Sequence, residues 1–180
     1  MNRYDERMQE LRGEIIRASK GAQPIKLSDE SLQSIERTIG HSLSTDYREF
    51  LRDYGCYGLY AFFRCGRSLG GEWGSIRAFY GLTPKDLLYP DSSYPLYDTT
   101  LDLLYNYEGF KNLKPVELLP IGDDPGGSQI CLAIAGDHIG SVYFWDRVEA
   151  WSTTDYFGIY FVANSFDEFM RLLMNEEEFE

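Results

Sequence analysis

His41 and His138 are the two side chains whose ordinary titration falls near neutral pH, and each stands alone in the chain. Neither belongs to an HxxxH or CxxC pair, so the spacing that lets zinc ligands converge is missing. His138 lies in the run GDHIG beside Asp137, and a lone turn histidine reads as a solvent-exposed side chain. Asp123 and Asp124 precede Pro125, Gly126 and Gly127, and several oxygens from one turn suit a hard cation such as calcium. The EF-hand spacing is absent, however, and a tight turn held by Asx hydrogen bonds accounts for the same residues. Gly66, Gly70, Gly71 and Gly74 lie beside Arg64 and Arg67, but no GK[ST] follows to build a phosphate cradle, so they read as an interstrand loop. No G-x-S-x-G elbow is present, and neither histidine adjoins a marked nucleophile. With 29 acidic residues some close carboxylate pair arises by chance, so a pair is not evidence of catalysis. Trp73, Trp145 and Trp151 would stack on bases or sugars, although aromatics at strand positions more often fill a core. These residues predict no catalytic group, no metal and no cofactor.

Charge says more. Seventeen Lys and Arg against the 29 acids leave a net charge of -12. Residues 1 to 27 carry six cations and four anions, whereas residues 115 to 180 carry only Arg147 and Arg171 against thirteen carboxylates. A surface of that sign repels phosphate backbones and anionic lipid and attracts basic proteins, which excludes nucleic acid as a ligand class. Acidity for solubility alone is the plainer alternative.

The elements that must position these residues follow from periodicity. Tyr4, Met8, Leu11 and Ile15 recur at helical steps over 3 to 19, and GAQP at 21 to 24 ends that helix. Ser28 as N-cap, the stripe Leu32, Ile35 and Ile39, and Gly40 as C-cap predict a helix over 29 to 39. Ser44 or Thr45 caps a third helix with Tyr47, Phe50, Leu51 and Tyr54 inward, ending at Gly55. Strands are expected at 59 to 63 and 75 to 80, a long loop with a short helix at 83 to 100, and a helix at 100 to 109 presenting Leu101, Leu104 and Tyr105. VELLPI, QICLAIA, SVYFWDR and DYFGIYFVA read as antiparallel strands on short loops. Ser165 with Glu168 forms a capping box for a last helix burying Phe166, Phe169, Leu172 and Leu173, and the tail NEEEFE should fray.

Helices, then strands, then a helix argue for an α+β class. The 180 residues suit one domain, divided here into an N-terminal amphipathic helix and linker at 1 to 26 and an α+β domain at 27 to 180. The longest apolar run, residues 156 to 163, is too short for a membrane span. The charged N-terminus lacks a secretory pattern, and three cysteines make no disulfide framework, so a cytoplasmic protein is expected, with no membrane partner.

Several segments together resemble one family. IERTIG at 35 to 40, the helix run from Leu43 to Gly55, FYGL at 79 to 82, LPIGDDPGGSQICL at 119 to 132 and GSVYFWD at 140 to 146 resemble the SUKH superfamily, over roughly residues 27 to 172. Its founding members are fungal cell-wall-assembly and glucan-synthesis regulators. Ser44 stands where the family usually has Pro, Cys56 stands in the usual Gly-Gly of the turn after the helix, and the first helix is extra. The resemblance implies a single α+β domain with a bent, largely antiparallel central sheet flanked by helices. It also implies a non-enzymatic binding role: many bacterial members look like immunity proteins that neutralise a toxin, often a nuclease, and others look like protein-binding adaptors.

The expected function is therefore an immunity protein that occludes a basic toxin with its acidic C-terminal third, electrostatic steering making capture fast. Asp123, Asp124, Asp137, Glu149 and Asp155 are the expected contacts, placed in turns and loops where carboxylates reach solvent. The alternative is a regulatory scaffold that recruits a partner through the sheet's concave face or the loop Tyr89 to Tyr97, and a third reading is a carboxylate-pair hydrolase.

Overall fold

Local signals and long-range packing agree first at the second helix. Ser28 sits in extended backbone and its Oγ accepts from the Ser31 N–H at 3.2 Å, opening α2 (Asp29–Ile39). Gly40 closes it at φ +75°, a left-handed conformation that glycine adopts without a Cβ clash. The computed structural model describes residues 2–11, 26–66, 72–82 and 101–179. Within it, α1 (Asp5–Glu10) precedes α2, and α3 (Thr45–Tyr54) follows. Strands β1 (Tyr57–Arg64) and β2 (Trp73–Phe79) come next, then α4 (Leu103–Phe110). The chain continues through β3 (Leu118–Asp123), β4 (Gln129–Ala133), β5 (Val142–Trp145) and β6 (Ile159–Ala163) to α5 (Phe166–Leu172) and α6 (Glu176–Phe179).

The six strands form one open sheet in the order β1-β2-β3-β4-β5-β6, each pair antiparallel. The fold is a single-domain α+β arrangement. Register shifts between Gly58 and Ala61, Pro120 and Gly122, and Val142 and Tyr143 mark irregularities of the kind that bend a strand.

Alternation along the strands sends residues to two faces. Leu119, Ile121, Ile130, Leu132, Val142 and Phe144 join the main core, where Phe50 of α3 and Phe166 and Phe169 of α5 meet Phe79. Tyr4, Met8 and Leu11 are buried in the same core, so α1 packs there, while Ile15 and the GAQP segment lie outside the described residues. Leu118, Cys131, Ala133, Tyr143, Trp145 and Ile159 form a smaller cluster on the opposite face, covered in part by Phe110 and Leu113.

The pairing of α2 with α3 is charged as well as apolar, since Asp29 accepts from Arg52 at 2.7 Å and from Arg48 at 3.3 Å. At α5 the Ser165 Oγ accepts from the Glu168 N–H at 3.0 Å, and Glu168 reaches back to the Asn164 N–H rather than to Ser165. Gly81 leaves no room for a side chain: a Cβ there would lie 2.5 Å from the Cys56 nitrogen. Cys56 itself adopts φ +58°, the left-handed region that explains why glycine is usual at this turn.

Three expectations of packing change. Tyr105 points to solvent; α4 instead buries Leu103 and Asn106. Leu172 is exposed, and Met170 takes its place in the core. The acidic tail forms a helical turn, because Phe179 stacks on Phe62 at 4.2 Å and meets Trp73 edge-on at 4.8 Å between ring centroids. Met174 also pairs with Phe62 through two 2.8 Å backbone hydrogen bonds, covering part of the outer edge of β1. The loop expected at 83 to 100 lies outside the described residues.

Candidate functional site

At one end of the sheet β3, β5 and the facing ends of β4 and β6 meet two connections, the turn 124–128 and the loop 146–158. The turn forms as its sequence dictates. Asp124 accepts from the Ser128 N–H at 2.7 Å through Oδ1, and its own N–H donates to the Ser128 carbonyl at 3.0 Å. Gly127 supplies the positive φ of +86° that the reversal requires. Ser128 then joins turn to loop, its Oγ accepting from the Arg147 N–H at 3.3 Å.

The loop is tied at every third residue or so. Asp146 Oδ1 accepts from the N–H groups of Val148 at 3.0 Å and Glu149 at 3.4 Å, and the Asp146 N–H donates to Gly158 at 2.8 Å. The Trp145 indole donates to the Ala150 carbonyl at 2.7 Å, and the Thr153 N–H donates to Leu113 at 2.8 Å. Tyr160 donates to Glu149, and Tyr156 donates to Glu117 at 2.9 Å. Hydrogen bonds from the Thr153 hydroxyl at 2.8 Å and the Phe157 N–H at 3.3 Å hold the Asp155 carboxyl below the usual carboxylate range.

The structure brings Asp124, Glu149 and Asp155 to this end of the sheet. Asp137 is exposed at the opposite end, in the turn between β4 and β5. Asp123 departs from its expected position in a solvated turn: it ends β3, is 7% exposed and is ion-paired with Arg77. Burial pushes its carboxyl above the usual range, against the pull of Arg77, and Oδ1 has no hydrogen-bond partner. Beside it the Tyr80 hydroxyl donates to Gln129 Oε1 at 2.8 Å, and the Gln129 amide donates to the Gly127 carbonyl at 3.0 Å. Asp123 is therefore tied to β2 rather than offered to solvent.

Sequence reasoning missed the apolar component. Trp145 is buried as expected of a core residue, but Trp151 is 65% exposed. The Arg147 guanidinium carbon lies 3.7 Å from the Trp151 ring centroid and 4.6 Å from that of Phe110. DYFG, expected to open the last strand, lies in the loop because β6 begins only at Ile159, and the available signal was Trp151 in AWSTT, a large ring in a stretch with neither helical nor strand period. Among the described residues no group of three or more His, Cys, Asp or Glu side chains is arranged to hold a metal ion. Both histidines are exposed, and the Cys131 thiol is pushed up to about 12 by burial, which leaves it protonated and unreactive at neutral pH. No helix among the described residues is long and apolar enough to cross a membrane.

The profile of the SMI1/KNR4 family (SUKH-1) matches residues 26–172. The chain belongs to the SMI1/KNR4 family. An uncharacterized protein derived from the SPbeta prophage, YokK of Bacillus subtilis (strain 168), is 28% identical over 172 residues, covering 87% of this chain and 79% of the relative. The SUKH-1 region takes in the whole sheet, both connections at the acidic end, and α2 to α5. Outside it stand α1 and α6, so the buried Tyr4, Met8 and Leu11 and the Phe179 stack are additions to the SUKH-1 region.

Proposed function

We propose that this protein is a non-enzymatic, stoichiometric binding module acting in the cytosol, an immunity protein that captures a basic toxin and blocks its nucleic-acid-binding face. The observation that carries the reading is the acidic end of the sheet. Asp124, Glu149 and Asp155 come from two connections joined through the Ser128 Oγ, which accepts from the Arg147 N–H, and the three carboxylates accept from the Ser128 N–H, the Tyr160 hydroxyl and the Thr153 hydroxyl respectively, so they are held in place before a partner arrives. Membership of the SMI1/KNR4 family supports a binding role. Prepositioned charge raises the encounter rate and lowers the ordering cost of association. Co-expression with the protein encoded beside the gene tests the reading. Rescue of growth from that protein's toxicity is the expected result. The double variant Asp124→Lys with Asp155→Lys should slow association mainly at low salt. A neighbouring product that is harmless, or an association rate indifferent to both charge and salt, would defeat it. A housekeeping partner recovered with these same charges engaged would favour the regulatory scaffold.

A further inference from the structure

The loop 146–158 exposes three large apolar side chains within ten residues: Val148 at 83%, Trp151 at 65% and Phe157 at 61%. Nothing in folding requires this, because the same loop already buries Ala150 and Thr153 to close the sheet's end. Its backbone is fixed, and the fixing has a cost: Tyr156 is held at φ +67°, a left-handed conformation unusual for a bulky residue. Arg147 is one of two cations among the last 66 residues, and among the described residues no carboxylate pairs with it. It lies instead against the rings of Trp151 and Phe110, and its Nε is buried with no hydrogen-bond partner among the described residues. The apolar surface continues onto the outer face of β6, where Phe161, 51% exposed, meets Tyr143 at 5.9 Å, and Tyr143 meets Tyr156 at 5.8 Å.

An exposed Trp, Phe and Val on one internally hydrogen-bonded loop, with Arg147 on the indole and carboxylates in the same two connections, have the composition of a binding hot spot with a polar rim. We propose that Trp151, Phe157 and Val148 are the apolar anchor of the docking surface, seated against a basic protein whose Lys and Arg side chains meet Glu149, Asp155 and Asp124. The partner is basic because the rim and the last third of the chain are acidic. This deepens the protein-binding reading and rests on it. The carboxylates govern how fast the partner arrives, and the aromatic anchor governs how long it stays.

A random-peptide library on phage, selected on the full chain, provides the probe. Enriched peptides should be rich in Lys and Arg. Their affinity should fall about tenfold or more on Trp151→Ala and on Phe157→Ala, and less than about twofold on Leu172→Ala, an exposed apolar residue elsewhere. Unchanged thermal unfolding of the variants excludes loss of the fold. Acidic or neutral peptides, basic peptides indifferent to Trp151 and Phe157, or no enrichment at all would each overturn the proposal. Basic peptides that bind elsewhere would remove this surface and leave the protein-binding reading standing. Failure of toxin rescue with Trp151-dependent binding intact would remove the immunity role and leave this surface.

Discussion

The two faces of the sheet are finished in different ways. Toward the helices, Phe50, Phe79, Phe166 and Phe169 interlock, Phe50 and Phe79 with ring centroids 4.6 Å apart, and the strands contribute only apolar residues. On the outer face Phe110, Leu113 and Tyr156 pack against a small cluster around Trp145, with Phe161 exposed and Lys114 buried at 3% exposure. The inner face is built for stability, since burial of every ring leaves nothing to offer a partner. The outer face is closed only as far as folding needs, and its spare aromatic surface joins the acidic end of the sheet.

The contrast breaks most easily from the inside. Phe166→Ala should cost about 3 to 5 kcal/mol in urea unfolding, because the ring touches Tyr4, Tyr47 and Phe50 and no solvent replaces it. A loss under about 1 kcal/mol would mean the inner face is not closely packed. On the outer face Lys114 makes one long hydrogen bond, 3.3 Å to the Pro115 carbonyl, and burial pulls its ammonium below the ordinary value of 10.5. The unfolded chain then binds the proton more tightly than the folded one. Stability should rise with pH between the folded value and 10.5, the penalty being fully present below both. Lys114→Met should remove that rise and stabilise the protein at neutral pH by on the order of 1 kcal/mol; unfolding measured from neutral to alkaline pH decides it.

Smaller effects sharpen the comparison. Tyr47 is fully buried in the main core and its hydroxyl has no hydrogen-bond partner among the described residues. Tyr47→Phe should therefore leave thermal stability unchanged or raise it by up to about 1 kcal/mol, where a bonded hydroxyl would register a loss. Trp151→Ala should shift unfolding least, within about 0.5 kcal/mol, while removing most of the binding described above. An unfolding loss as large as that of Phe166→Ala would place Trp151 in the core and end the distinction between the faces.

Much of this was legible in residue order. Ser28 and Gly40 bound α2 as their side chains and φ preferences require, and Ser165 opens α5 for the same reason. The short, continuous apolar runs in QICLA and VYFW place their strands, and DDPGG forms the turn its Asx and glycine residues demand. Of the expected contacts, Asp124, Glu149 and Asp155 lie in the turn and loop where their sequence positions put them. Asp123 was misplaced because neighbouring aspartates look alike in sequence, and only pairing with Ala78 of β2 carries one of them inside to Arg77. Phe179 was misread because a tail of glutamates has no helical reason of its own; the rings of Phe62 and Trp73, over a hundred residues earlier, supply it.

Local order of residues determined the caps, the turns, the period of each strand and the sign of the surface charge, since these depend on neighbours a few positions apart. Which side of the sheet the helices cover, which aspartate is buried and which tryptophan faces water were decided only on folding. Strand alternation offers both faces equally, and the helices have apolar surface enough to close one of them.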